Sequence, residues 1–455
     1  MRELLLSNRR YFIILTLAAV ALRLYFVLHL PVISGDALVY SDIARNVGEH
    51  HVYGISTDVG PQPTLIRLPG YPLFLAMIFK IFGQDAWRPV MLVQALFDVI
   101  TCFVVAETAR ITINARAAKI AFALAALCPF TANYAGTGLT ESLSLFFIAL
   151  ALLFAVRGFD RQKLNDWAGC GMAVALAILL RPDGGWLLGA IGLAILIRMW
   201  VIPGERRILL QAGMVVLAIS LAPLVPWTVR NWRVFHVVQP LVTPHASDPG
   251  EWEPTQWLTW LDTWVIDYSS IEDVTFKVSG EKVDFNDIPN RAFSDEQEKQ
   301  QVASLIAKYN EDVTLTQYLD AEFGKIAARH IQEHPFKYHV GMPVMRLVTI
   351  WFRPRTEMLP LDTHWWRFNE DLHDSLWGTG LLLLNLAFIY FAVSGVLHGP
   401  PMKYIVLFIL YLVVRSLFLL LMSAGEDRYT LEGFPCLFIL GARYLAGTKM
   451  FSSWA

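Results

Sequence analysis

Charge is what this chain has least of: Asp, Glu, Lys and Arg supply 17% of its 455 residues, against 55% hydrophobic residues, with a mean hydropathy of +0.46. So little polar surface cannot clothe a soluble core of that size, which excludes an ordinary globular protein and leaves a polytopic membrane protein. No large basic patch is present and the formal net charge is −2. That excludes nucleic acid as a partner class. Cysteine is also scarce. Cys102, Cys128, Cys170 and Cys436 all fall in or beside apolar runs without metal-like spacing, so they read as small core residues and not as a disulfide framework. Internal repeats, low-complexity tracts and matched broken spans are lacking as well, which argues against an inverted-repeat transporter.

What the chain has in abundance is apolar runs of roughly 17 to 23 residues, the length that crosses about 30 Å of hydrocarbon. About ten crossings are predicted by that criterion, centred on Ile14–Leu30, Val90–Ala109, Ala117–Cys128, Leu139–Val156, Trp167–Leu180, Gly185–Trp200, Ile208–Val225, Leu376–Val396, Tyr404–Leu421 and Leu431–Leu445. The first run is too long for a signal-peptide core and lacks a small-x-small cleavage site, so it is expected to stay as a transmembrane helix. Tyr71–Phe82 is apolar but too short to span and is expected to lie half-buried or at the interface.

Basic residues gather in alternate short loops. Arg2, Arg9 and Arg10 precede the first span; Arg110, Arg116 and Lys119, then Arg157, Arg161 and Lys163, then Arg198, Arg206 and Arg207 follow later ones. The positive-inside bias puts these in the cytoplasm, with Arg443 and Lys449 returned to the same side by an even number of crossings. The loop after the first span and the segment Arg230–Asp374 then share the outer face. The domain division that follows is residues 1–229 as a transmembrane module with a first outer loop at 31–88, residues 230–374 as an outer-face helical segment, and residues 375–455 as C-terminal transmembrane helices.

The outer segment carries its own helix signals. Ser294 with Gln297 three residues on is a capping-box pattern opening a helix to about Tyr309; an amphipathic helix is expected over Leu315–Glu333, stopped by Pro335, and a more apolar one to about Phe352. Trp252, Trp257, Trp260 and Trp264 crowd a short window among acidic residues. They read as belt residues at the headgroups in preference to ring platforms for a ligand.

Polar residues at a membrane boundary concentrate between Gly35 and Pro72. Asp36 opens a helical pattern, Tyr40 and Asp42 follow it, and Arg67-Leu-Pro69-Gly70-Tyr71-Pro72 closes the loop. An aspartate at a helix start is ordinarily a cap for free amides. Two acids, a cation and stiff turns together suit instead a site that binds an anionic lipid headgroup and activates a hydroxyl.

The pattern Gly35-Asp36-x3-Tyr40 followed by Arg67-x-Pro69-Gly70-Tyr71-Pro72 resembles the first outer loop of the GT-C class of integral-membrane glycosyltransferases. These use polyprenyl-phosphate sugars and include relatives of the protein O-mannosyltransferases, the aminoarabinose transferase and bacterial lipopolysaccharide glycosyltransferases. Further matches follow in order: Thr140-Glu141-Ser142, Arg181-Pro182, Pro226-Trp-Thr-Val-Arg230-Asn231, His334-Pro335, Arg346, Trp351-Phe352 and Arg428-Tyr429. The resemblance implies an all-α, GT-C-like bundle of about ten transmembrane helices with a helical periplasmic segment, multi-pass in the plasma (inner) membrane, its site facing the periplasm or exterior. It implies inverting transfer of a sugar from a polyprenyl-phosphate donor to a hydroxyl of a glycan, lipid or protein acceptor.

The family's first-loop aspartate maps to Asp36, as general base or as a metal-organising carboxylate. Glu141 is a secondary site residue. Arg67, Arg181, Arg230 and Arg428 either fork onto the donor phosphate or snorkel to the headgroups, with Arg428 the first choice because Glu426-Asp427-Arg428-Tyr429 is a compact charged cluster. Tyr71 and Tyr429 are assigned to the donor side, and Tyr40, Asp42 and Glu426 to acceptor or loop support. His330 and His334, spaced i,i+4, could complete a divalent-metal site with a first-loop acid, or simply be a solvated pair. Ala37 follows Asp36 where a variant of the family has a second acid, which argues against a two-acid metal site. The rival reading is a transporter or lipid-linked-sugar flippase, which should carry its charges at mid-span. Exceptions such as Asp98 and Arg415 stand within spans, and the sequence offers neither a role.

Overall fold

The computed structural model describes residues 1–243, 247–278, 280–423 and 425–448. Lys449, one of the basic residues used for orientation, lies outside them. Helices dominate the described residues; the named strands are Gly54–Thr57 and Gly60–Pro63, an antiparallel ribbon in the first loop. Each of the ten expected spans is occupied by helix. Six helices are long and apolar enough to cross a membrane: Arg9–His29, Trp87–Thr112, Glu141–Arg161, Pro182–Val201, Pro203–Phe235 and Leu372–Leu397. A seventh candidate, Ala115–Ala126 with Pro129–Gly136, bends by 47°, at the point where Pro129 cannot continue the hydrogen-bond ladder. The other three are shorter, at 17 residues for Leu164–Leu180, 15 for Ile405–Leu419 and 14 for Phe434–Gly447. Their missing ends are the irregular chain that carries Arg181 and Arg428.

The transmembrane helices share one continuous apolar core, and all four cysteines are free and buried, as their surroundings in the sequence predict. Within that core Arg23 Nε meets Asp98 at 2.8 Å while the rest of the guanidinium binds the carbonyls of Ala125 and Ala126. A charge in hydrocarbon is tolerated when every donor is matched, and here it ties the first span to the second and to the bent pair.

The segment 230–374 has a second, separate core. Trp257, Trp260 and Trp264 are 2%, 0% and 1% exposed and belong to it, packed with Phe323, whose ring lies 4.5 Å from Trp257 and 4.7 Å from Trp260. The expectation of belt residues is therefore corrected for these three. Their spacing of three and four residues puts them on one face of the helix Thr255–Asp262 and its continuation, and that face is turned inward. Only Trp252 of the four is exposed. The cap of the next helix also shifts by one: it spans Glu296–Asp312 and Asp295, not Ser294, accepts the Glu298 amide at 2.8 Å. Thr316 caps the helix Gln317–Glu333, and Met342–Phe352 follows.

Candidate active site

Gly35 begins the site. Its φ of +54° turns the chain sharply after the first span, a conformation open to glycine at little steric cost, and the helix Asp36–His50 starts on the next residue. Asp36 therefore occupies the first turn and makes no capping hydrogen bond. The helix dipole favours its charge there, and both carboxylate oxygens are left for side chains. Arg67 Nη2 donates to Oδ1 at 2.6 Å and Arg428 Nη1 to Oδ2 at 3.1 Å. Arg67 is brought in by the closing turn of the loop, where Gly70 lies so near the end of the helix Leu164–Leu180 that a Cβ would fall 2.5 Å from the Leu179 carbonyl oxygen.

From Arg428 the charges run on without a break. Its guanidinium donates to Glu426 at 2.7 Å and lies 4.0 Å from Glu141. Glu141 accepts from Arg181 at 2.6 Å; Arg181 pairs with Asp183 at 3.1 Å and approaches Glu432 at 3.4 Å. Asp183 and Glu432 both meet Arg415, at 2.9 and 2.5 Å. On the other side, Arg353 binds Asp427, approaches Glu357 at 3.3 Å and donates to the Gly425 carbonyl, while the Arg428 amide donates to Glu357 at 3.2 Å. The ring of Tyr429 lies under Arg181 at 5.2 Å, and its hydroxyl donates to Glu426 at 2.9 Å.

Exposure separates the members of this network. The Asp36 side chain is 29% exposed, whereas Glu141 and Glu357 are each 1% exposed. Arg67 and Arg428 reach solvent beside Asp36 and Arg415 does not. Burial by itself would raise the Asp36 carboxyl, but Arg428 and Arg67 outweigh it and hold the group below the ordinary carboxylate range. Glu357 moves the other way: burial, with Asp427 and Glu426 close by, pushes it well above that range despite Arg353 and Arg428.

The structure thus gathers Asp36, Arg67, Glu141, Arg181, Arg428, Tyr429 and Glu426 into one constellation. Tyr40 and Tyr71 lie beneath it, edge to face at 5.0 Å, with Arg67 over the Tyr40 ring and the Tyr71 hydroxyl bound to Gln94 at 2.7 Å. Four predicted residues stand apart: Asp42, Arg230, His330 and His334. Asp42 accepts from the amide and hydroxyl of Ser56, both at 2.7 Å, and so holds the β-ribbon. Arg230 donates to the Thr64 and Tyr53 carbonyls, each at 2.7 Å, and pins the first loop from below.

His330 and His334 belong to the 230–374 segment, and the acid that His330 meets is Glu298, 2.6 Å away, with Thr263 at its other nitrogen. The first-loop carboxylate expected to complete that pair is instead held by its two arginines. Among the described residues the group whose ligand atoms converge closely enough for a metal ion is Asp371, His373 and Asp374, at the start of the helix Leu372–Leu397.

Sequence reasoning passed over Asp183, Glu432, Arg353, Arg355 and Glu357. Asp183 and Glu432 left a usable trace, since Asp183 follows Arg181-Pro182 directly and Glu432 falls one helical turn after Arg428. Glu357 left only the i,i+4 spacing from Arg353, while its partners Tyr134 and Arg428 are distant in the chain.

Residues 62–229 match the family model described as dolichyl-phosphate-mannose-protein mannosyltransferase. No curated protein sequence matches the chain. Among solved structures, the archaeal oligosaccharyltransferase AglB from Archaeoglobus fulgidus, in complex with an inhibitory peptide and a dolichol-phosphate, is similar with a TM-score of 0.51 at 13% identity over 96% of this chain and 50% of that one. The same enzyme tethered to an acceptor peptide gives a TM-score of 0.50 at 13% identity with the same coverage. ArnT from Cupriavidus metallidurans bound to undecaprenyl phosphate gives 0.39 at 15% identity over 96% of this chain and 77% of that one. The chain spans about half the length of the oligosaccharyltransferase it matches. Its fold is that of the GT-C class of membrane glycosyltransferases.

Proposed function

We propose that the protein transfers a sugar from a polyprenyl-phosphate donor to an acceptor hydroxyl at the outer face of the membrane, with inversion and with Asp36 as the base. The observation that carries this reading is the half-buried Asp36 carboxylate gripped by two partly exposed arginines at one end of the bundle. The phosphodiester of the donor competes with Asp36 for Arg67 and Arg428, because guanidinium forks bind phosphate oxygens strongly. Drawing them away frees the carboxylate beside the anomeric carbon. The acceptor oxygen then forms its bond to that carbon, the bond to the phosphate oxygen breaks, the electron pair stays on the phosphate, and the hydroxyl proton passes to Asp36. The arginines stabilise the charge that develops on the leaving phosphate.

The family match over residues 62–229 and the fold shared with a protein captured with dolichol-phosphate support the donor class. The alternation of basic loops supports the outer orientation. A divalent ion, if the reaction uses one, has Asp371, His373 and Asp374 as candidate ligands. The test is transfer of labelled sugar from a polyprenyl-phosphate donor to envelope extract by the purified, reconstituted protein. Wild-type protein should label a product that Asp36→Asn does not; a labelled product of equal yield from both would reject the assignment.

A further inference from the structure

A cavity of about 360 Å³ borders the ion-pair network, with Glu357 and Asp427 of that network in its lining. Its walls are apolar and come from the end of the first span at Tyr25 and Phe26, from Pro129 and Phe130, from the stretch Met358–Leu361 and from Trp377 and Leu381. One end is polar, formed by Asn133, Tyr134, Arg355, Glu357, His373 and Asp427. The charges at that end decide what it accepts. Arg355 is the one arginine among the described lining residues, and each of its three nitrogens already donates within the protein, to Asn385, the Asp427 carbonyl and Thr430, with its plane against Phe434 and Phe130. That guanidinium is committed to the fold at every nitrogen, so the cavity presents no free arginine fork to an anion.

The unmet polar atom in the lining is an acceptor. Asn133 is 5% exposed; its amide nitrogen donates to the Met358 carbonyl at 3.3 Å, and its Oδ1 is buried without a partner. A buried acceptor left unmatched costs about 1–3 kcal/mol, so this atom favours a ligand that brings a donor. A phosphodiester brings none. A sugar or polyol hydroxyl brings several, and the apolar walls suit a hydrocarbon chain behind it.

We infer that this cavity holds the acceptor, and that the acceptor is an amphiphile with an uncharged, hydroxyl-bearing head set against Asn133 and an apolar chain along Met358–Leu361. Naming the occupant as acceptor rests on the glycosyltransferase reading above; the binding chemistry stands without it. The link to catalysis is Glu357, which takes the Tyr134 hydroxyl at 2.9 Å and the Arg428 amide at 3.2 Å and so connects the polar end of the cavity to the residue that grips Asp36.

The test uses the full-length protein in phosphatidylcholine nanodiscs and an alkyl glucoside carrying a photoreactive diazirine in its chain, with cross-links mapped by mass spectrometry. Saturable labelling is expected at Met358–Leu361 and Trp377. It should weaken about tenfold in affinity in Asn133→Leu, fall in the cavity-filling variant Leu361→Trp, persist in Asp36→Asn, and resist competition by polyprenyl phosphate. Displacement by polyprenyl phosphate, unchanged affinity in Asn133→Leu where thermal unfolding matches wild type, or the absence of saturable labelling in wild-type protein would each overturn the inference. Because labelling needs no sugar transfer, these outcomes are independent of whether Asp36 is the base.

Discussion

Two ionic assemblies sit in the same bundle and are built to opposite ends. The pair Arg23–Asp98 is closed: both side chains are 3% exposed or less, and the guanidinium's remaining donors go to helix carbonyls. The chain of charges from Asp36 to Arg415 is open at one end, where Asp36, Arg67 and Arg428 meet solvent, and sealed at the other, where Arg415 is held by Asp183 and Glu432. A closed pair fixes helices in register and has no valence left for a ligand. An open one has partners that a ligand can take, and this is the physical distinction between a charge that holds the fold and a charge that does chemistry.

The comparison breaks if both assemblies respond alike to mutation. The largest effect is expected at the closed pair. Asp98→Leu leaves Arg23 buried without its counter-ion and should cost about 3–5 kcal/mol of stability, measured as loss of folded, monodisperse protein on heating in detergent. The same variant should keep its activity per folded molecule. The 230–374 segment offers a control of similar size without charge: Trp260→Ala removes a fully buried ring and should cost about 3–5 kcal/mol, read from proteolysis of the 255–333 region while the transmembrane part stays resistant. Were Trp260 a membrane anchor, the change would alter nanodisc association and leave proteolysis untouched.

At the open end the expected effects are on function. Arg428→Gln should raise the donor KM about tenfold, equivalent to about 1.4 kcal/mol, with a smaller change in thermal stability because the side chain is partly solvated. An unchanged donor KM would make Arg428 a second closed-pair residue and erase the distinction. The smallest effect is a displacement of the pH profile. Asp36 is held below the ordinary carboxylate range, so its ionised form and the stability it contributes are present above about pH 4 and are lost only as pH falls through its lowered folded value. The acid limb due to Asp36 should thus lie below about pH 4 in the wild type. In Arg428→Gln, with burial less opposed, it should move upward.

Much of this was legible in the residue order, and the exceptions have physical causes. Hydropathy marked a helix at each expected span, and six of these helices, seven with the bent pair, have the length a bilayer imposes; the turn chemistry of Gly35 and Pro69-Gly70 marked the loop that delivers Asp36 and Arg67. Three of the short spans failed the length criterion because their ends are spent on the irregular chain holding Arg181 and Arg428. The tryptophan stripe misled because residues three and four apart serve an inward face as well as a membrane face, and only the presence of Phe323 across from Trp257 and Trp260 decides between them. Asp183 and Glu432 were passed over because their joint significance is one of proximity: each is an ordinary acid until folding places both beside Arg415.

The central claim is that Asp36 acts in the chemical step and not in holding the donor. It is tested most directly by single-turnover transfer from donor pre-bound to the reconstituted protein, comparing wild type with Asp36→Asn. The account predicts donor binding within a few-fold of wild type and a transfer rate lower by about 10²–10⁴-fold. A single-turnover rate near that of wild type would contradict it.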